Sequence, residues 1–376
     1  MVDADQTFVI VGGGLAGAKA AETLRAEGFT GRVILICDER DHPYERPPLS
    51  KGLLLGSAER DSVFAHDAEW YDEHRVDLIL GSRVDALDLD RGRVTLGDRS
   101  LPYDRLLLAT GATPRRLPMA DEAGVPVTYL RTLDDSVALK ERLAGRIVIV
   151  GAGWIGLEVA AAAREAGAEV TVVEQASQPL EAALGAEVGA LFADLHRAHG
   201  VDLRLGTSVD AETLASADLV VVGIGARPDD DLARAAGLAC DDGVLVDASL
   251  RASDPHVFAA GDVARQDHPL LGRLRVEHWD AAIHQGKHAA RTMLGDDAAY
   301  DRMPYFFTDQ YDLGMEYVGH VGPKGYDEVV IRGDRAALNI RVFWLRAGTV
   351  VAGMHLNDWD AIDPLRAAVG GPLPSD

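Results

Sequence analysis

The sequence contains little cysteine. Only Cys37 and Cys240 occur among its 376 residues, so no Cys-x-x-Cys pair is present. A structural disulfide framework is therefore excluded, as is usual for a protein of a reducing compartment. Electron transfer through a pair of neighbouring thiols is excluded for the same reason. For Cys37, which ends an apolar run, we expect the role of a small buried side chain.

Basic residues are also scarce, and long apolar runs are absent. Lys and Arg number 37 against 60 Asp and Glu, which gives a formal net charge of −23. Such a charge argues against nucleic acid as a partner, and its simplest explanation is solubility. No segment approaches the roughly 20 apolar residues of a membrane-spanning helix. The first residues, Met1 to Asp5, are acidic and unlike a signal peptide, so we expect a cytoplasmic protein without a membrane partner.

What the sequence does contain is one glycine motif, twice. A run of β-branched residues leads into Gly-x-Gly-x-x-Gly and an alanine-rich stretch, over Phe8–Gly17 and again over Ile147–Gly156. The first glycine permits a tight turn after a buried strand, the second lets a pyrophosphate approach the backbone, and the third lets a helix pack on the strand. The helix directs its unpaired N–H groups at the phosphates. Two copies predict two bound dinucleotides, which suggests electron transfer between them.

An acidic residue follows the next predicted strand in both copies. Asp38 and Glu39 come after the strand Arg32–Cys37, and Glu174 comes after the strand Glu169–Val173. A carboxylate at this position accepts hydrogen bonds from the ribose hydroxyls of a dinucleotide. In the first copy, either Asp38 or Glu39 fits that role.

Glu174 also bears on the choice between NADH and NADPH. Its carboxylate would repel a 2′-phosphate, and no arginine follows at Gln175 or Ala176 to bind one. The sequence therefore predicts that NADH is preferred over NADPH.

The length and the order of the predicted elements define an α/β fold. A chain of 376 residues exceeds one typical hydrophobic core. We predict two Rossmann-like dinucleotide-binding domains, as in glutathione reductase, and a C-terminal α+β domain. The first dinucleotide-binding domain is predicted to consist of two parts, and the boundaries are residues 1–112 (first domain, first part), 113–240 (second domain), 241–300 (first domain, second part) and 301–376 (C-terminal domain).

Several local elements are predicted within this division. A strand, Gly261-Asp262 and then a helix are expected in the second part of the first domain. A further helix is expected to begin at Glu277–Asp280 and to reach about Leu294. The C-terminal domain is predicted to hold antiparallel strands near residues 329–332, 338–344 and 349–354 and a closing helix within residues 358–369.

Three further segments resemble one branch of a known superfamily. Pro43–Lys51 reads PYERPPLSK, Glu277–Asp280 reads EHWD, and Pro304–Tyr311 reads PYFFTDQY. With the two glycine motifs, they resemble the pyridine nucleotide-disulfide oxidoreductase superfamily, and within it the FAD-dependent ferredoxin reductases that serve oxygenases, such as the putidaredoxin and rubredoxin reductases. Apoptosis-inducing factor is a cousin of that branch. In the disulfide reductases and NADH oxidases, a redox cysteine occupies the region that here reads PPLSK, so its absence excludes their mechanisms.

The resemblance implies FAD and NADH as cofactors and assigns the residues that bind them. The FAD set is Gly12, Gly14, Gly17, Asp38 or Glu39, Arg46, Lys51, Ala109, Thr110, Gly111, Gly261, Asp262 and Trp279, and Pro48, Glu277 and His278 are further cofactor-binding residues. The NADH set is Gly151, Gly153, Gly156 and Glu174, and Glu158 and Gly225 are further cofactor-binding residues. Asp262 would accept a hydrogen bond from a ribityl hydroxyl of FAD.

Three residues are the catalytic candidates that the resemblance implies. Lys51 and Glu158 would form an ion pair at the junction of flavin and nicotinamide, where the pair orients the flavin and modulates the charge near N5. The alternative is a surface lysine and a helix glutamate that never meet. Trp279 would cover the flavin and face the partner, and the alternative is a tryptophan of the core.

The chain departs from the branch at three places. Phe307 stands where the PYFWSDQY segment of the family has tryptophan, and Ala281 stands where EHWDNA has asparagine. A basic residue that often follows the second ribose-binding acid is absent after Glu174. These differences bear on fine tuning and on partner choice rather than on the fold.

The function that follows is an NADH-dependent flavoenzyme that reduces a [2Fe–2S] ferredoxin serving an oxygenase or a cytochrome P450. The ferredoxin partner is implied by the resemblance alone. Two alternatives remain open: a reductase of small acceptors such as quinone, oxygen or monodehydroascorbate, and a redox sensor like apoptosis-inducing factor. A ferredoxin is usually acidic, so basic residues near the flavin are required, and the candidates are Lys287, Arg291, Arg341 and Arg346.

No metal site is expected, and the oligomeric state stays open. His196 and His199, and likewise His284 and His288, have helical spacing but bring no third ligand with the spacing of a zinc site. The sequence is compatible with a monomer or a homodimer.

Overall fold

The computed structural model describes residues 5–322 and 324–375, so Met1–Ala4, which enter the prediction of a cytoplasmic location, lie outside the described residues. The strands are β1 (Thr7–Val11), β2 (Arg32–Ile36), β3 (Val76–Ile79), β4 (Ala86–Asp88), β5 (Arg93–Leu96), β6 (Arg99–Pro102), β7 (Arg105–Leu108), β8 (Ala112–Pro114), β9 (Val127–Thr128), β10 (Arg146–Val150), β11 (Glu169–Val173), β12 (Asp202–Arg204), β13 (Leu219–Val222), β14 (Ala226–Pro228), β15 (Val244–Val246), β16 (Val257–Ala259), β17 (Ala264–His268), β18 (Gly272–Arg275), β19 (Tyr305–Gln310), β20 (Leu313–Gly319), β21 (Glu328–Asp334), β22 (Asn339–Arg346) and β23 (Thr349–Leu356).

Twelve α-helices connect these strands within the described residues. They are α1 (Leu15–Ala26), α2 (Gly52–Leu55), α3 (Ala68–Glu73), α4 (Pro118–Asp121), α5 (Leu133–Lys140), α6 (Trp154–Glu165), α7 (Glu181–Leu184), α8 (Ala186–Ala198), α9 (Ala211–Ala215), α10 (Asp231–Ala235), α11 (Trp279–Met293) and α12 (Ile362–Ala368).

The chain forms two compact units, each built from three segments. Unit 1 comprises Met1–Glu45, Val63–Thr113 and Arg227–Pro304, and unit 2 comprises Arg46–Ser62, Pro114–Ala226 and Tyr305–Asp376. The division into two compact units does not test the four-segment domain division that the sequence suggests, which stays a prediction.

The centre of unit 1 is a parallel five-stranded sheet in the order β16-β7-β1-β2-β3. Its strands are near-continuous runs of Val, Ile and Leu, which suits strands that are covered on both faces. Helices α1 and α11 pack against each other in this unit so closely that a Cβ added to Gly286 would lie 2.3 Å from the carbonyl oxygen of Ala16. A glycine is therefore required where the two helices cross.

One local expectation in unit 1 is wrong. The sequence predicts a helix after Gly261-Asp262, but the structure has a single 3₁₀ turn, Gly261–Val263, that leads directly into β17. The side chains of β17 alternate between buried and more exposed, and the strand pairs antiparallel with β18. That two-residue period is typical of a half-buried strand.

Unit 2 repeats the architecture of unit 1. Its parallel sheet has the order β12-β11-β10-β13-β9, so the strand before each glycine motif lies between the next strand of its own motif and a later one. Trp344, which is fully buried in the same unit, donates its indole N–H to the carbonyl oxygen of Leu184 over 3.0 Å.

The second sheet of unit 2 is antiparallel, in the order β19-β20-β23-β22-β21, and α12 packs on it. The three strands predicted near residues 329–354 and the closing helix are confirmed. Two further strands, β19 and β20, were not predicted, although β19 contains most of the PYFFTDQY segment. The predicted α/β class, with two Rossmann-like folds and a C-terminal α+β part, is confirmed.

Within the residues that the structure describes, none of the helices has the length and apolar content required to cross a membrane.

Candidate functional site

The three glycines of the first motif perform three different tasks in unit 1. Gly12 has φ +121°, and a Cβ there would lie 2.1 Å from the carbonyl oxygen of Ala109. A Cβ on Gly17 would lie 2.1 Å from the carbonyl oxygen of Gly12. A Cβ on Gly14, in contrast, would meet nothing within 4 Å. The first and third glycines therefore serve the fold, while the second leaves open space beside the backbone.

Helix α1 begins at that open space. Gly14 is its N-cap, has extended backbone with φ −76°, and supplies no side-chain cap to the first N–H groups. The uncapped N–H groups and the positive end of the helix dipole are the features that bind a phosphate. The first motif thus has both the space and the donors for the pyrophosphate of a dinucleotide.

The second motif, in unit 2, has the same geometry. Gly151 has φ +101°, and a Cβ on Gly156 would lie 2.0 Å from the carbonyl oxygen of Gly151. A Cβ on Gly153 would have a single neighbour, the carbonyl oxygen of Gly223, at 3.9 Å. Gly153 is the uncapped N-cap of α6. Each unit therefore has an open glycine and an uncapped helix start, the two features that a pyrophosphate site requires.

The acidic residues lie at the ends of β2 and β11, as the sequence predicts. Glu174 bends towards its own glycine loop: its Oε2 accepts from the N–H of Ala152 over 2.7 Å, and its Oε1 accepts from the N–H of Ala176 over 2.8 Å. In unit 1, Glu39 Oε2 accepts from the hydroxyl of Tyr44 over 2.5 Å, whereas Asp38 is exposed.

Cys37 lies under the first motif as an apolar filler. Its side chain is buried, and a Cβ on Gly13 would lie 2.3 Å from its Sγ. Burial, with the nearby charges of Asp38 and Glu39, raises the pKa of the Cys37 thiol to about 12. The thiol is therefore protonated at neutral pH and is not a nucleophile.

Two small-residue turns line the same edge of the unit 1 sheet. Thr110 donates its hydroxyl to the carbonyl oxygen of Asp229 over 2.7 Å, and Gly111 has φ +75°. Gly261 has φ +77°, and its N–H donates to Oε1 of Gln285 over 2.9 Å. A Cβ on Gly261 would lie 3.1 Å from the Cβ of Ala16 in the first turn of α1. The next residue, Asp262, therefore lies near the start of α1. The carboxyl ends of parallel strands are where such folds bind their ligands.

Lys51 and Glu158 meet in unit 2. The 3₁₀ turn Pro47–Ser50 begins with two prolines, which fix the backbone, and delivers Lys51 to the start of α2. Glu158 lies on the buried face of α6, and its side chain is only 4% exposed. The Nζ of Lys51 lies 2.6 Å from Oε1 of Glu158. A surface lysine and a glutamate that never meet are thus ruled out by the geometry.

Two hydroxyls complete the environment of Glu158. Ser50 donates to Oε2 and Thr308 donates to Oε1, each over 2.5 Å. The carboxylate therefore accepts from three donors, which compensates for its burial. Sequence reasoning did not select Ser50 or Thr308, although both lie within segments that resemble the ferredoxin reductases.

Three further residues that the sequence analysis names have defined contacts in unit 2. The Nζ of Lys51 lies 5.5 Å from the ring centroid of Phe307, which stands where the family has tryptophan. The guanidinium of Arg46 donates to the carbonyl oxygen of Arg131. Gly225, with φ +93°, accepts at its carbonyl oxygen from the N–H of Arg115 over 2.9 Å.

The EHWD segment forms the start of α11 in unit 1. His278 is the N-cap and Trp279, the first residue of the helix, is half-buried rather than part of the core. Glu277 pairs with Arg275 over 2.5 Å. Asp280 accepts two hydrogen bonds from the guanidinium of Arg302, each over 2.8 Å, a contact that the sequence did not predict. This bidentate pair fixes the helix start at which Trp279 lies.

The four basic candidates are divided between the two units. Lys287 and Arg291 belong to unit 1, and Arg341 and Arg346 belong to unit 2. Arg291 pairs with Glu27 over 2.8 Å, and Arg341 pairs with Asp358 over 2.6 Å. Within residues 5–322 and 324–375, no three His, Cys, Asp or Glu side chains are grouped so that they could hold a metal ion.

The comparisons with known proteins agree with this geometry. The model of the pyridine nucleotide-disulphide oxidoreductase family matches residues 6–286, and that of the reductase C-terminal domain matches residues 305–371. The chain belongs to the pyridine nucleotide-disulphide oxidoreductase family. The resemblance stated from the sequence motifs, to its ferredoxin reductase branch, is confirmed by the relatives that follow.

Two relatives are reductases by name, and one of these names includes a dioxygenase system. The ferredoxin–NAD(+) reductase component of the anthranilate 1,2-dioxygenase system of Burkholderia cepacia is 42% identical over 369 residues, which cover 93% of this chain and 90% of the relative. Putidaredoxin reductase of Pseudomonas putida is 38% identical over 375 residues, which cover 93% and 88%. A solved covalent complex of putidaredoxin reductase with putidaredoxin matches with a TM-score of 0.93 at 36% identity, covering 100% of this chain and 95% of the other.

Proposed function

We propose that this protein is an enzyme that passes electrons from NADH through FAD to a [2Fe–2S] ferredoxin, which in turn serves an oxygenase or a cytochrome P450. The observation that carries the proposal is the open middle glycine in each of two dinucleotide motifs, Gly14 and Gly153. FAD, when bound, would supply the conversion between the two-electron chemistry of NADH and the one-electron chemistry of a ferredoxin. The relatives named as ferredoxin reductases, and the match to a reductase in complex with its putidaredoxin, support the ferredoxin as acceptor.

The residues of unit 1 are assigned to FAD. The first motif binds the pyrophosphate at the start of α1, and Asp38 or Glu39 binds the ribose. The backbone turn at residues 109–111 lines the cofactor, and Asp262 accepts a hydrogen bond from the ribityl chain. The EHW residues at the start of α11 complete the set: Glu277, His278 and Trp279.

Unit 2 supplies the second dinucleotide site and the catalytic pair. The second motif and Glu174 bind NADH, with Gly225 on the same side. Arg46, Pro48 and Lys51 reach the flavin, and Glu158 holds the ammonium group of Lys51 at 2.6 Å. The pair keeps a positive charge fixed near the flavin while the carboxylate balances it, so the chain supplies orientation and electrostatics.

NADH is expected to be a better substrate than NADPH because the carboxylate of Glu174 repels a 2′-phosphate. We expect kcat/KM for NADH to exceed that for NADPH by about tenfold or more, which corresponds to ~1.4 kcal/mol. Glu174→Gln removes the charge and keeps one amide oxygen, which can accept from only one of the N–H groups of Ala152 and Ala176. The ratio of the two kcat/KM values should therefore narrow. Steady-state kinetics with both nucleotides measure it, and a wild-type ratio of one or below would contradict the assignment.

Trp279 is expected to serve the partner more than the nicotinamide. Trp279→Ala should slow ferredoxin-dependent cytochrome c reduction by about tenfold. NADH-driven flavin reduction should change little, because the aromatic side chain is assigned to the path from the flavin to the acceptor and not to the nicotinamide. Trp70→Ala is the matched control, because Trp70 is another tryptophan of unit 1 and has no assigned role. It stacks on His66 with ring centroids 3.9 Å apart. Equal loss of both activities in Trp279→Ala would favour a structural role.

The proposal is tested with purified protein and a set of [2Fe–2S] ferredoxins. We expect a flavin absorbance spectrum, bleaching by NADH, and NADH-driven cytochrome c reduction that rises at least about tenfold when the right ferredoxin is added. Fast NADH oxidation without any need for ferredoxin would favour a reductase of small acceptors. Slow turnover with a long-lived complex of reduced protein and NAD⁺ would favour a redox sensor.

We further propose a cytoplasmic location and the four-segment domain division. Cys37 is buried and Cys240 is half-buried, and both are free thiols, which suits a reducing compartment. The division at residues 112, 240 and 300 places each glycine motif in its own domain. Cell fractionation tests the location, and expression of residues 113–240 as a folded, NADH-binding fragment tests the division.

A further inference from the structure

The catalytic pair is the end of a buried hydrogen-bond chain in unit 2. Thr308 Oγ1 lies 2.5 Å from Oε1 of Glu158, and Nε2 of Gln310 lies 3.3 Å from Thr308 Oγ1. Oε1 of Gln310 lies 2.9 Å from Nε2 of His196 on α8. Thr308 and Gln310 are two residues apart on β19, so they share one face of the strand. These hydrogen bonds connect helix α8 with helix α6 through strand β19.

The donors and acceptors of this chain are consistent in one direction only. Glu158 is a carboxylate that accepts, so Thr308 must give it its single hydroxyl proton. The oxygen of Thr308 can then accept from the amide NH₂ of Gln310. The amide oxygen of Gln310 in turn requires a proton from His196 Nε2. Every group therefore has one assigned role.

His196 fits that role because it is neutral. Its side chain is fully buried, and burial lowers its pKa to about 4. A neutral imidazole offers one N–H and one acceptor nitrogen. The hydroxyl of Tyr311 lies 3.4 Å from His196 Nδ1, on the acceptor side. Thr308 and Gln310 are also fully buried, so water does not compete for these contacts.

We propose that Thr308 is a positioning residue, held by Gln310 and His196, that fixes the carboxylate of Glu158 and through it the ammonium group of Lys51. The inference rests on the proposed role of the pair beside the flavin. A carboxylate held by Lys51 and Ser50 alone could rotate about its last bonds, whereas a third, buried donor with its own fixed partner leaves one orientation. Thr308 touches neither cofactor in this scheme and acts only through Glu158.

The test replaces Thr308 by valine, which has the same shape without the hydroxyl. We expect a crystal structure of Thr308→Val to show Glu158 and Lys51 in a new or mixed arrangement. We expect NADH-driven flavin reduction in stopped-flow experiments to slow about tenfold, with the Kd for NADH within about twofold. Thr308→Ser retains the hydroxyl and should restore both the arrangement and the rate.

Two further variants keep the test decisive. Thr292→Val removes a buried hydroxyl in unit 1, which donates to the carbonyl oxygen of Ser249 over 2.9 Å, and should lower the melting temperature without slowing flavin reduction. Gln310→Met leaves the hydroxyl of Thr308 but not its partner, and should slow flavin reduction less than Thr308→Val. It serves in place of Thr308→Val if that variant does not fold.

The two readouts separate this inference from the function on which it rests. An unchanged arrangement of Glu158 and Lys51 in Thr308→Val would overturn the inference, whatever the rate. A changed arrangement with an unchanged rate would also overturn it, and would count against the role of the pair in the reaction. A changed arrangement with a slower rate, restored in Thr308→Ser, is the result we expect.

Discussion

Loss of FAD from an otherwise folded protein is the expected result of Gly14→Val. The backbone of Gly14 is extended, and its added side chain meets no protein atom within 4 Å of Cβ, so the fold tolerates valine. The side chain would occupy the space assigned to the pyrophosphate. We expect the Kd for FAD to rise by about 100-fold or more, equivalent to ~2.8 kcal/mol. The ratio of flavin to protein absorbance measures the loss, and circular dichroism measures the fold.

The same substitution in the second motif provides the matched comparison. Gly153→Val should leave FAD bound and weaken NADH binding by a similar factor, because Gly153 is the open glycine of unit 2. Gly17→Val is the control for damage to the fold, since a Cβ at Gly17 would lie 2.1 Å from a backbone oxygen. A Gly14→Val protein that purifies with full FAD, or a Gly153→Val protein that loses it, would overturn the assignment of the two motifs.

Slow flavin reduction with FAD still bound is the expected result of Lys51→Ala. The substitution removes the positive charge assigned to the flavin edge and leaves the buried carboxylate of Glu158 with only two hydroxyl donors. Loss of one fixed electrostatic group from an active site costs about 10²-fold or more in rate. Stopped-flow absorbance after mixing with NADH measures the rate.

A second lysine offers the control for this substitution. Lys19 pairs with Glu22 over 2.6 Å, the distance of the Lys51–Glu158 pair, but lies on α1 of unit 1 with no assigned role. Lys19→Ala should leave flavin reduction unchanged. If Lys51→Ala reduces its flavin as fast as Lys19→Ala does, Lys51 has no part in the reaction.

The parts of the fold that depend on local sequence could be predicted. In each glycine motif, a strand, a tight turn and a helix follow one another within about 20 residues. In both copies, which begin at Gly12 and Gly151, the first and third glycines have no room for a Cβ and the second has open space. The family and the fold class rest on such motifs, and both are confirmed. The helix expected after Gly261 is wrong because the pairing of β17 with β18 determined the local structure rather than the small-residue turn before it.

The parts of the site that depend on contacts distant in sequence could not be predicted from spacing. Lys51 and Glu158 are 107 residues apart, and Glu158 and Thr308 are 150 residues apart. No periodic pattern connects such positions, so the Lys51–Glu158 contact was expected only from the resemblance, and the contact of Thr308 was not expected at all. The hydrogen bond from Ser50 to Glu158 was not predicted either, because only its charged neighbour Lys51 indicates an ion pair. The roles of these residues remain predictions until the variants are measured.

The three-segment construction of each unit also governs how the chain folds during synthesis. Strand β7 pairs with the edge strand β16, whose residues emerge from the ribosome about 150 positions later. The hydroxyl of Thr308 likewise emerges 150 residues after Glu158. At roughly 5–20 residues per second, each interval lasts on the order of 8–30 s. Throughout that time β7 exposes an unpaired apolar edge, which is prone to aggregation. The residues assigned to FAD extend to Trp279, so the complete set is available only late in translation.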